Sequence, residues 1–170
     1  ADFQAFWTAF AKRGAGVGAI APDRFDATNA GVVESYVTGS DLAIIATGLD
    51  VDVRDCDTDG YLDNDESGHV SVTVRNVGSI SLSQVRVSLS STNPQVGFPG
   101  GVTAALPTLA PFQSATVSLA VELLGAVGAE IIDVTAVAND LQFPTPASRI
   151  ATLYERGNTD EIASSDDTFE

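Results

Sequence analysis

From residue 41 onward, apolar and polar residues alternate along most of the chain, which is the period of β-strands with one buried face. This alternation predicts strands over 42–47, 69–76, 82–90, 95–98, 114–123, 130–138 and 149–154. Turn-forming residues such as Asn76-Val77-Gly78 and Pro99-Gly100-Gly101 lie between these segments. About seven short strands separated by turns predict a mainly β fold, an antiparallel β-sandwich of immunoglobulin-like type.

The first residues follow a helical period instead. A single apolar stripe at positions i, i+3, i+4 and i+7 is formed by Phe3, Phe6, Trp7 and Phe10. It predicts an N-terminal amphipathic helix over 2–13, and Gly14 suits the position just past a helix end. Because these aromatic side chains must be buried against something, we expect the stripe to be a core contact or an interface.

The patterns divide the chain into three parts. Residues 1–40 hold the helix and a connector rich in Gly and Ala, in which Gly31 to Val37 form a short helix or strand. Residues 41–156 form the β-sandwich, and the polar, acidic stretch 157–170 is expected to be a flexible tail. The glycines of 14–18 do not indicate a phosphate-binding loop, because such a loop follows a strand and this one follows a helix.

One acidic run has a spacing that points to metal chemistry. Residues 55–66 read D-x-D-x-D-G-x-x-D-x-x-E, the 12-residue calcium-loop pattern. Ca²⁺ takes six to eight hard oxygen ligands, and Gly60 permits the sharp bend that such a loop needs. The predicted ligands are the side chains of Asp55, Asp57, Asp59, Asp63 and Glu66 and the carbonyl of Tyr61. The alternative interpretation is an acidic surface loop without a metal.

The surroundings of this run differ from those of an EF-hand, which needs a helix on each side. Residues 41–47 favour extended structure, and 69–75 are apolar at every second position. The sequence therefore predicts a calcium loop that feeds a β-strand. Its expected role is to hold the entrance of a β-domain, not to sense calcium signals.

The charge balance limits the classes of partner. With 8 basic and 23 acidic residues the formal net charge is −15, so nucleic acid and anionic membrane surfaces are poor partners. No stretch is long and apolar enough to predict a membrane span. The chain contains no methionine, so we expect it to be processed or cut from something longer. A calcium loop of this kind favours an extracellular location, where calcium is millimolar.

A few single residues could carry chemistry. Cys56 is the only cysteine, so it is either a free thiol or paired with a cysteine outside this chain. His69 is expected to be a surface or hairpin histidine, since Ca²⁺ prefers oxygen. Glu122 and Asp133 are expected to be solvated on polar strand faces and not to form a catalytic pair.

Two resemblances add to this. The run from Phe6 to Ala19 contains a core of the form FAxRGxGxxA, and 29–35 reads Asn-Ala-Gly-Val-Val-Glu-Ser. Residues 1–37 thereby resemble the end of the peptidase domain of fungalysin-type zinc metallopeptidases. In that family the zinc-binding H-E-x-x-H helix lies well upstream. Since this chain has one histidine and no such motif, the resemblance implies that Zn²⁺ and its ligands lie outside the chain.

The second resemblance covers residues 41–155. Asp59-Gly60, then Glu66-Ser67-Gly68, then a strand ending in Asn76-Val77-Gly78 are similar to bacterial extracellular immunoglobulin-like modules of the CARDB kind. The usual Gly-Glu order is reversed here. This resemblance implies the fold and no activity.

Together these features predict the C-terminal accessory region of a secreted bacterial metallopeptidase of fungalysin type, not catalytic by itself. The sandwich would serve stability, substrate capture or surface attachment, and the helix would dock on the missing peptidase portion. The alternative is a structural or adhesive extracellular subunit. In that case the stripe of Phe3, Phe6, Trp7 and Phe10 would pack on another copy of the chain.

Overall fold

The computed structural model describes residues 2–54, 59–142 and 149–158. Within these ranges one helix precedes eight strands. They are α1 Asp2–Ala11, β1 Leu42–Arg54, β2 Ser67–Asn76, β3 Val85–Ser90, β4 Val96–Gly97, β5 Thr103–Ala105, β6 Ser114–Leu123, β7 Glu130–Asp140 and β8 Arg149–Gly157. The predicted mainly β class with an N-terminal helix is confirmed.

The strands form two four-stranded sheets, in the orders β1-β2-β6-β4 and β5-β3-β7-β8. The strand pairs within both sheets are antiparallel. Two such sheets packed over a shared core make a sandwich consistent with an immunoglobulin-like fold. The long strands β1 and β8 each lie at an edge of their sheet, whereas the opposite edges are the short β4 and β5.

The core lies between the sheets because each strand presents every second residue inward. In β2 the core valines are Val70, Val72 and Val74, and Val70 pairs with Leu119 of β6. The facing sheet contributes Val85, Val87 and Leu89 from β3 and Ile132 and Val134 from β7. Full burial of such a side chain stabilises the fold by about 1.5–3 kcal/mol relative to leaving it exposed.

Strand positions follow the predicted alternation where it is longest. The prediction over 114–123 matches β6, while β1 runs further than predicted, to Arg54. The short β5 was not predicted. Residues 82–84 were predicted as strand but precede β3, and Leu82 instead makes an isolated bridge with Leu109.

At one end of the sandwich, which we call the Asn76 end, a buried amide joins the β2–β3 and β5–β6 connections. The Asn76 side chain donates to the carbonyls of Ile80 at 2.7 Å and Leu109 at 2.9 Å, and its oxygen accepts from Gly78 N–H at 2.9 Å. Gly78 is required here because a Cβ would lie 2.4 Å from the Gly39 carbonyl oxygen. The N-x-G pattern therefore serves the close packing of the loops at this end.

The same end contains an ion pair between the two sheets. Arg149, the first residue of β8, lies with its Nη2 2.6 Å from Oδ1 of Asp41, the residue before β1. The Asp41 side chain is largely buried and the Arg149 side chain is partly exposed. Since β1 and β8 are the long edge strands, this pair joins the two sheets where both edges begin.

The N-terminal segment packs beside the Asn76 end. Helix α1 ends at Ala11, earlier than predicted, and Gly14 follows with a φ of 83°. Gly31 lies in a turn, and 32–37 make bridges from Val33 to Ile20 and from Ser35 to Ala15. Among the described residues, no helix is long and apolar enough to cross a membrane.

The predicted aromatic stripe is only partly covered. Phe6 is 63% exposed and Phe10 58% exposed, while Trp7 is half-buried; the Phe3 side chain lies outside the described part of the chain. Phe6, Trp7 and Phe10 line a cleft of about 300 Å³ together with Phe112 of the β5–β6 connection. The stripe therefore borders the sandwich across an open cleft, and much of its apolar surface stays exposed.

Two sequence expectations need correction. Asp133 is buried, not solvated, because the β3–β4 connection covers its carboxylate and donates hydrogen bonds to it, among them one from the Thr92 amide. Gly157 belongs to β8, and Asn158 is 1% exposed, so these two residues are part of the sandwich and not of the predicted tail. The rest of that predicted tail, 159–170, lies outside the described residues.

Candidate metal centre

The acidic run occupies the whole connection between β1 and β2. Strand β1 ends at Arg54 and β2 begins at Ser67, so the predicted calcium loop of 55–66 fills the gap between them. The expectation that strands and not helices flank the loop is confirmed. We call this end of the sandwich the loop end.

The predicted ligands fall into two groups. Asp55 and Asp57, like Cys56, lie outside the described residues. Of the others, Asp59 is exposed, whereas Asp63 is 4% exposed and Glu66 only 2% exposed. The Tyr61 side chain is 44% exposed, and its predicted ligand is the backbone carbonyl.

The local backbone has the bends that a closed loop needs. Gly60 has a φ of 82°, the left-handed conformation that glycine adopts without steric cost. The amide of Tyr61 donates to Asp59 Oδ1 at 2.7 Å. Further on, the Asp63 amide donates to Glu66 Oε2 at 3.1 Å and the Glu66 amide donates to the Asp63 carbonyl at 3.0 Å. Asp63 and Glu66 are therefore held on one tight turn.

Hydrogen bonds attach the loop to both sheets. On one side, Asp65 N–H donates to the Leu123 carbonyl at 2.8 Å and Leu123 N–H donates to the Glu66 carbonyl at 3.2 Å, which joins the loop to the end of β6. On the other side, Leu62 forms a bridge with Gly157 at the end of β8. The loop thus spans the two layers of the sandwich.

Two asparagines complete this arrangement. The Asn64 amide donates to Asn158 Oδ1 at 3.1 Å, and Asn64 Oδ1 accepts from the Ala126 amide at 2.9 Å. Asn158 Nδ2 donates to the Gly128 carbonyl at 2.8 Å. The sequence analysis missed both residues. It placed Asn158 in the predicted tail, and Asn64 lies inside the acidic pattern but not at a predicted ligand position.

The donor chemistry fits a hard cation. Carboxylates and a backbone carbonyl are the ligands that Ca²⁺ takes, and a nearly fully buried carboxylate is costly unless a cation or hydrogen-bond donors compensate its charge. Within 2–54, 59–142 and 149–158, no cluster of three or more acidic, His or Cys side chains is grouped around a possible metal position. Since Asp55 and Asp57 lie outside these ranges, the full predicted ligand set stays a prediction.

The other candidate residues do not join this loop. Asp133 lies on β7 and accepts hydrogen bonds from the Thr92 amide at 3.0 Å, the Thr92 hydroxyl at 2.8 Å and the Asn93 amide at 3.2 Å. The bond from the Thr92 amide is the main reason why the pKa of Asp133 lies below its ordinary value. Glu122 lies on β6 opposite Ser67, and His69 is half-buried in β2.

Comparisons with known proteins bear on the fold alone. No protein-family model and no curated protein sequence matches the chain. Among solved structures, the chain is similar to native alpha-2-macroglobulin from Escherichia coli, spanning domain MG7 to the C-terminus, with a TM-score of 0.53 and 14% identity over 72% of this chain and 17% of that one. The cryo-EM reconstruction of the native E. coli protein gives 0.51 and 13%, over 69% of this chain and 7% of that one. The chain spans only a small part of these neighbours.

Proposed function

We propose that this chain is a calcium-stabilised accessory module, a β-sandwich that serves a larger extracellular protein and has no catalytic role of its own. The observation that carries this proposal is the burial of Asp63 and Glu66 in a loop with calcium-ligand spacing that joins both sheets. A bound cation would offset the charge of these carboxylates and hold the two layers together at the loop end.

The protein that the module serves is proposed from the N-terminal resemblance. We propose a secreted bacterial metallopeptidase of fungalysin type, with its Zn²⁺ and zinc ligands in a separate portion that docks on α1. The exposed Phe6 and Phe10 support a docking role, because apolar side chains at helical spacing lose solvent contact in an interface. The same exposure supports the alternative, a structural or adhesive subunit in which α1 packs on another copy.

Thermal unfolding with and without calcium tests the metal site. A hundredfold excess of Ca²⁺ over its Kd stabilises the folded state by about 2.7 kcal/mol, which is roughly 5–10 °C in Tm for a chain of this size. Titration calorimetry gives the Kd itself. An identical Tm in chelator and in millimolar calcium would contradict the proposal.

Charge-removing variants locate the site. Asp63→Asn and Glu66→Gln keep the shape of each side chain but remove its charge, so each should abolish most of the calcium-induced shift. Glu122→Gln is the matched control, since Glu122 lies on the neighbouring strand β6 and is partly exposed. If Glu122→Gln reduces the shift as much as Glu66→Gln does, the effect is general charge screening.

Sedimentation velocity distinguishes the two uses of α1. Self-assembly predicts concentration-dependent association of the wild-type chain that the double variant Phe6→Ser/Phe10→Ser removes. A monomer at all concentrations rules out the self-assembling subunit and leaves docking on a different polypeptide.

A further inference from the structure

Strand β8 is a sheet edge without the features that protect the other edges. Proteins usually protect sheet edges with short strands, bulges, Pro or Lys. The edge strands β4 and β5 have only two and three residues, and the register of the long edge β1 against β2 shifts twice. In contrast, β8 pairs with β7 without a shift from Arg149 to Gly157 and contains neither Pro nor Lys. Among the described residues no strand covers the outer edge of β8, so this edge is suited to accept one.

The outer face of β8 is apolar at both ends of its middle section. Ile150 is 67% exposed and Tyr154 is 68% exposed. Between them lies Thr152, whose hydroxyl is 3.1 Å from Oγ1 of Thr135 on β7. Residues two apart on a strand share a face, so these side chains form one row along the edge. A strand added at this edge would take part of that row out of water.

The sequence of β8 is complementary to itself in one antiparallel register. When two copies pair with Thr152 opposite Thr152, Ile150 lies opposite Tyr154 and Arg149 lies opposite Glu155 of the other copy. Residues directly opposite have Cβ atoms about 4.5–5.5 Å apart, and apolar, hydroxyl or oppositely charged pairs stabilise the sheet. Each matched pair occurs twice because the pairing is symmetric.

Other registers lose this match. With Leu153 at the centre, Ile150 would face Arg156. With Ala151 at the centre, Arg149 would face Leu153. A centre between two residues would set side chains of opposite faces against each other, which the pleat of a sheet does not allow. The composition of the strand therefore selects the register centred on Thr152.

We propose that β8 is a dimerisation edge, which pairs antiparallel with β8 of a second copy about a two-fold axis at Thr152. The two four-stranded sheets β5-β3-β7-β8 then form one sheet of eight strands. Arg149 already binds Asp41, and a guanidinium has five donors, so one Arg149 can serve both Asp41 and Glu155 of the second copy. The proposed dimer goes beyond the proposed function and depends neither on the calcium site nor on α1.

Charge and size set the expected strength of this dimer. The net charge of −15 makes two copies repel each other, but this repulsion is screened beyond about 8 Å at physiological ionic strength. The strand itself holds Arg149, Arg156 and Glu155, a local charge of +1, so repulsion is weakest at this edge. Stable interfaces use about 20–30 residues a side, more than one strand supplies, so we expect a Kd on the order of 10–100 μM.

Sedimentation velocity tests the dimer at physiological ionic strength, over a range of about 1–300 μM around the expected Kd. The full chain is used as the double variant Phe6→Ser/Phe10→Ser, in which association through α1 does not contribute. We expect a reversible equilibrium between monomer and dimer. Hydrogen exchange should slow at 149–155 as the protein concentration rises, whereas β5, the opposite edge of the same sheet, should not change.

A charge swap at the axis locates the interface. On the same background, Thr152→Lys sets two ammonium groups opposite each other and Thr152→Glu sets two carboxylates opposite each other, so each should weaken the dimer at least about tenfold. An equimolar mixture of the two should associate again, because Lys then lies opposite Glu. Thr116→Lys is the matched control, since Thr116 is exposed on β6 and its hydroxyl is 2.8 Å from that of Thr73. It should leave the Kd within about twofold.

Each other result excludes the dimerisation edge. A monomer over the whole concentration range would show that this edge is left to an extended segment of a different protein. A dimer that Thr152→Lys does not weaken, or that Thr116→Lys weakens equally, forms elsewhere. Should the Thr152 variants not fold, Tyr154→Lys tests the same pairing, because its side chain would lie opposite Ile150. None of these results alters the calcium-induced shift in Tm, so the calcium site and the dimer can fail separately.

Discussion

Replacing Asn76 should cost more stability than any other substitution of a polar residue at the Asn76 end. The side chain is fully buried and makes three hydrogen bonds, two donated to the carbonyls of Ile80 and Leu109 and one accepted from Gly78. Asn76→Ala removes all three, although the Leu109 carbonyl still accepts from the Leu82 amide and the Gly78 amide still donates to the Asp41 carbonyl. Asn76→Asp keeps the shape but replaces both donors by acceptors.

The expected cost follows from those partners. Each lost hydrogen bond costs about 0.5–1.5 kcal/mol net, and the cost is larger where a buried partner is left unpaired. Asn76→Ala should therefore lower the free energy of unfolding by about 2–4 kcal/mol, which is roughly 10 °C in Tm. Asn76→Asp should cost at least as much at neutral pH, because its carboxylate faces two carbonyl oxygens, and less in acid, where the protonated group donates once.

Urea unfolding followed by circular dichroism measures both values. Asn139→Ala is the control, since Asn139 is half-buried on the outer face of β7, and it should cost under about 1 kcal/mol. A loss for Asn76→Ala no larger than that of the control would refute the reasoning. So would an Asn76→Asp protein as stable at pH 7 as the wild type.

Three further outcomes are expected. The pKa of Asp133 is lowered in the folded protein, so its charged form stabilises the fold above the unfolded-state pKa of about 3.9. This contribution is lost as the pH falls through the lower folded pKa. Asp133→Asn should therefore flatten the loss of stability in acid, which urea unfolding at a series of pH values measures. Gly78→Ala should destabilise strongly and Gly100→Ala hardly at all, because the added Cβ meets backbone at 2.4 Å in the first case and only a side chain at 3.8 Å in the second; thermal melts of the pair check this. Gly60→Ala should weaken calcium binding about fivefold or more in calorimetry, through about 1 kcal/mol or more of left-handed strain.

The β-strands with long alternation were predictable because their inward residues are apolar without interruption, as in β6 and β7. The strand β5 was not, since Thr103–Ala105 is too short to show a period and is fixed by pairing with β3. The same limit applies to Asp133. Its position on a strand suggested a solvated face, and only the folded chain brings 91–93 over it.

The candidate site was predictable in position and only partly in its connections. The ligand spacing and the strand after the loop follow from local sequence. The contacts of Asn64 with Asn158 join residues 94 positions apart, a distance at which no local pattern carries information. Burial of Glu66 likewise depends on the end of β6, which returns to the loop only in the folded sandwich.

The two ends of the sandwich are secured by different chemistry. The Asn76 end relies mainly on neutral amides and glycine packing, which respond little to the surrounding solution, together with one ion pair whose Asp41 side chain is largely buried. The loop end relies on acids whose repulsion depends on dissolved ions. Pulled at its termini in a chelating medium, the domain would fray first from the acidic side, so its mechanical resistance would have a direction that the ions in the surrounding solution set.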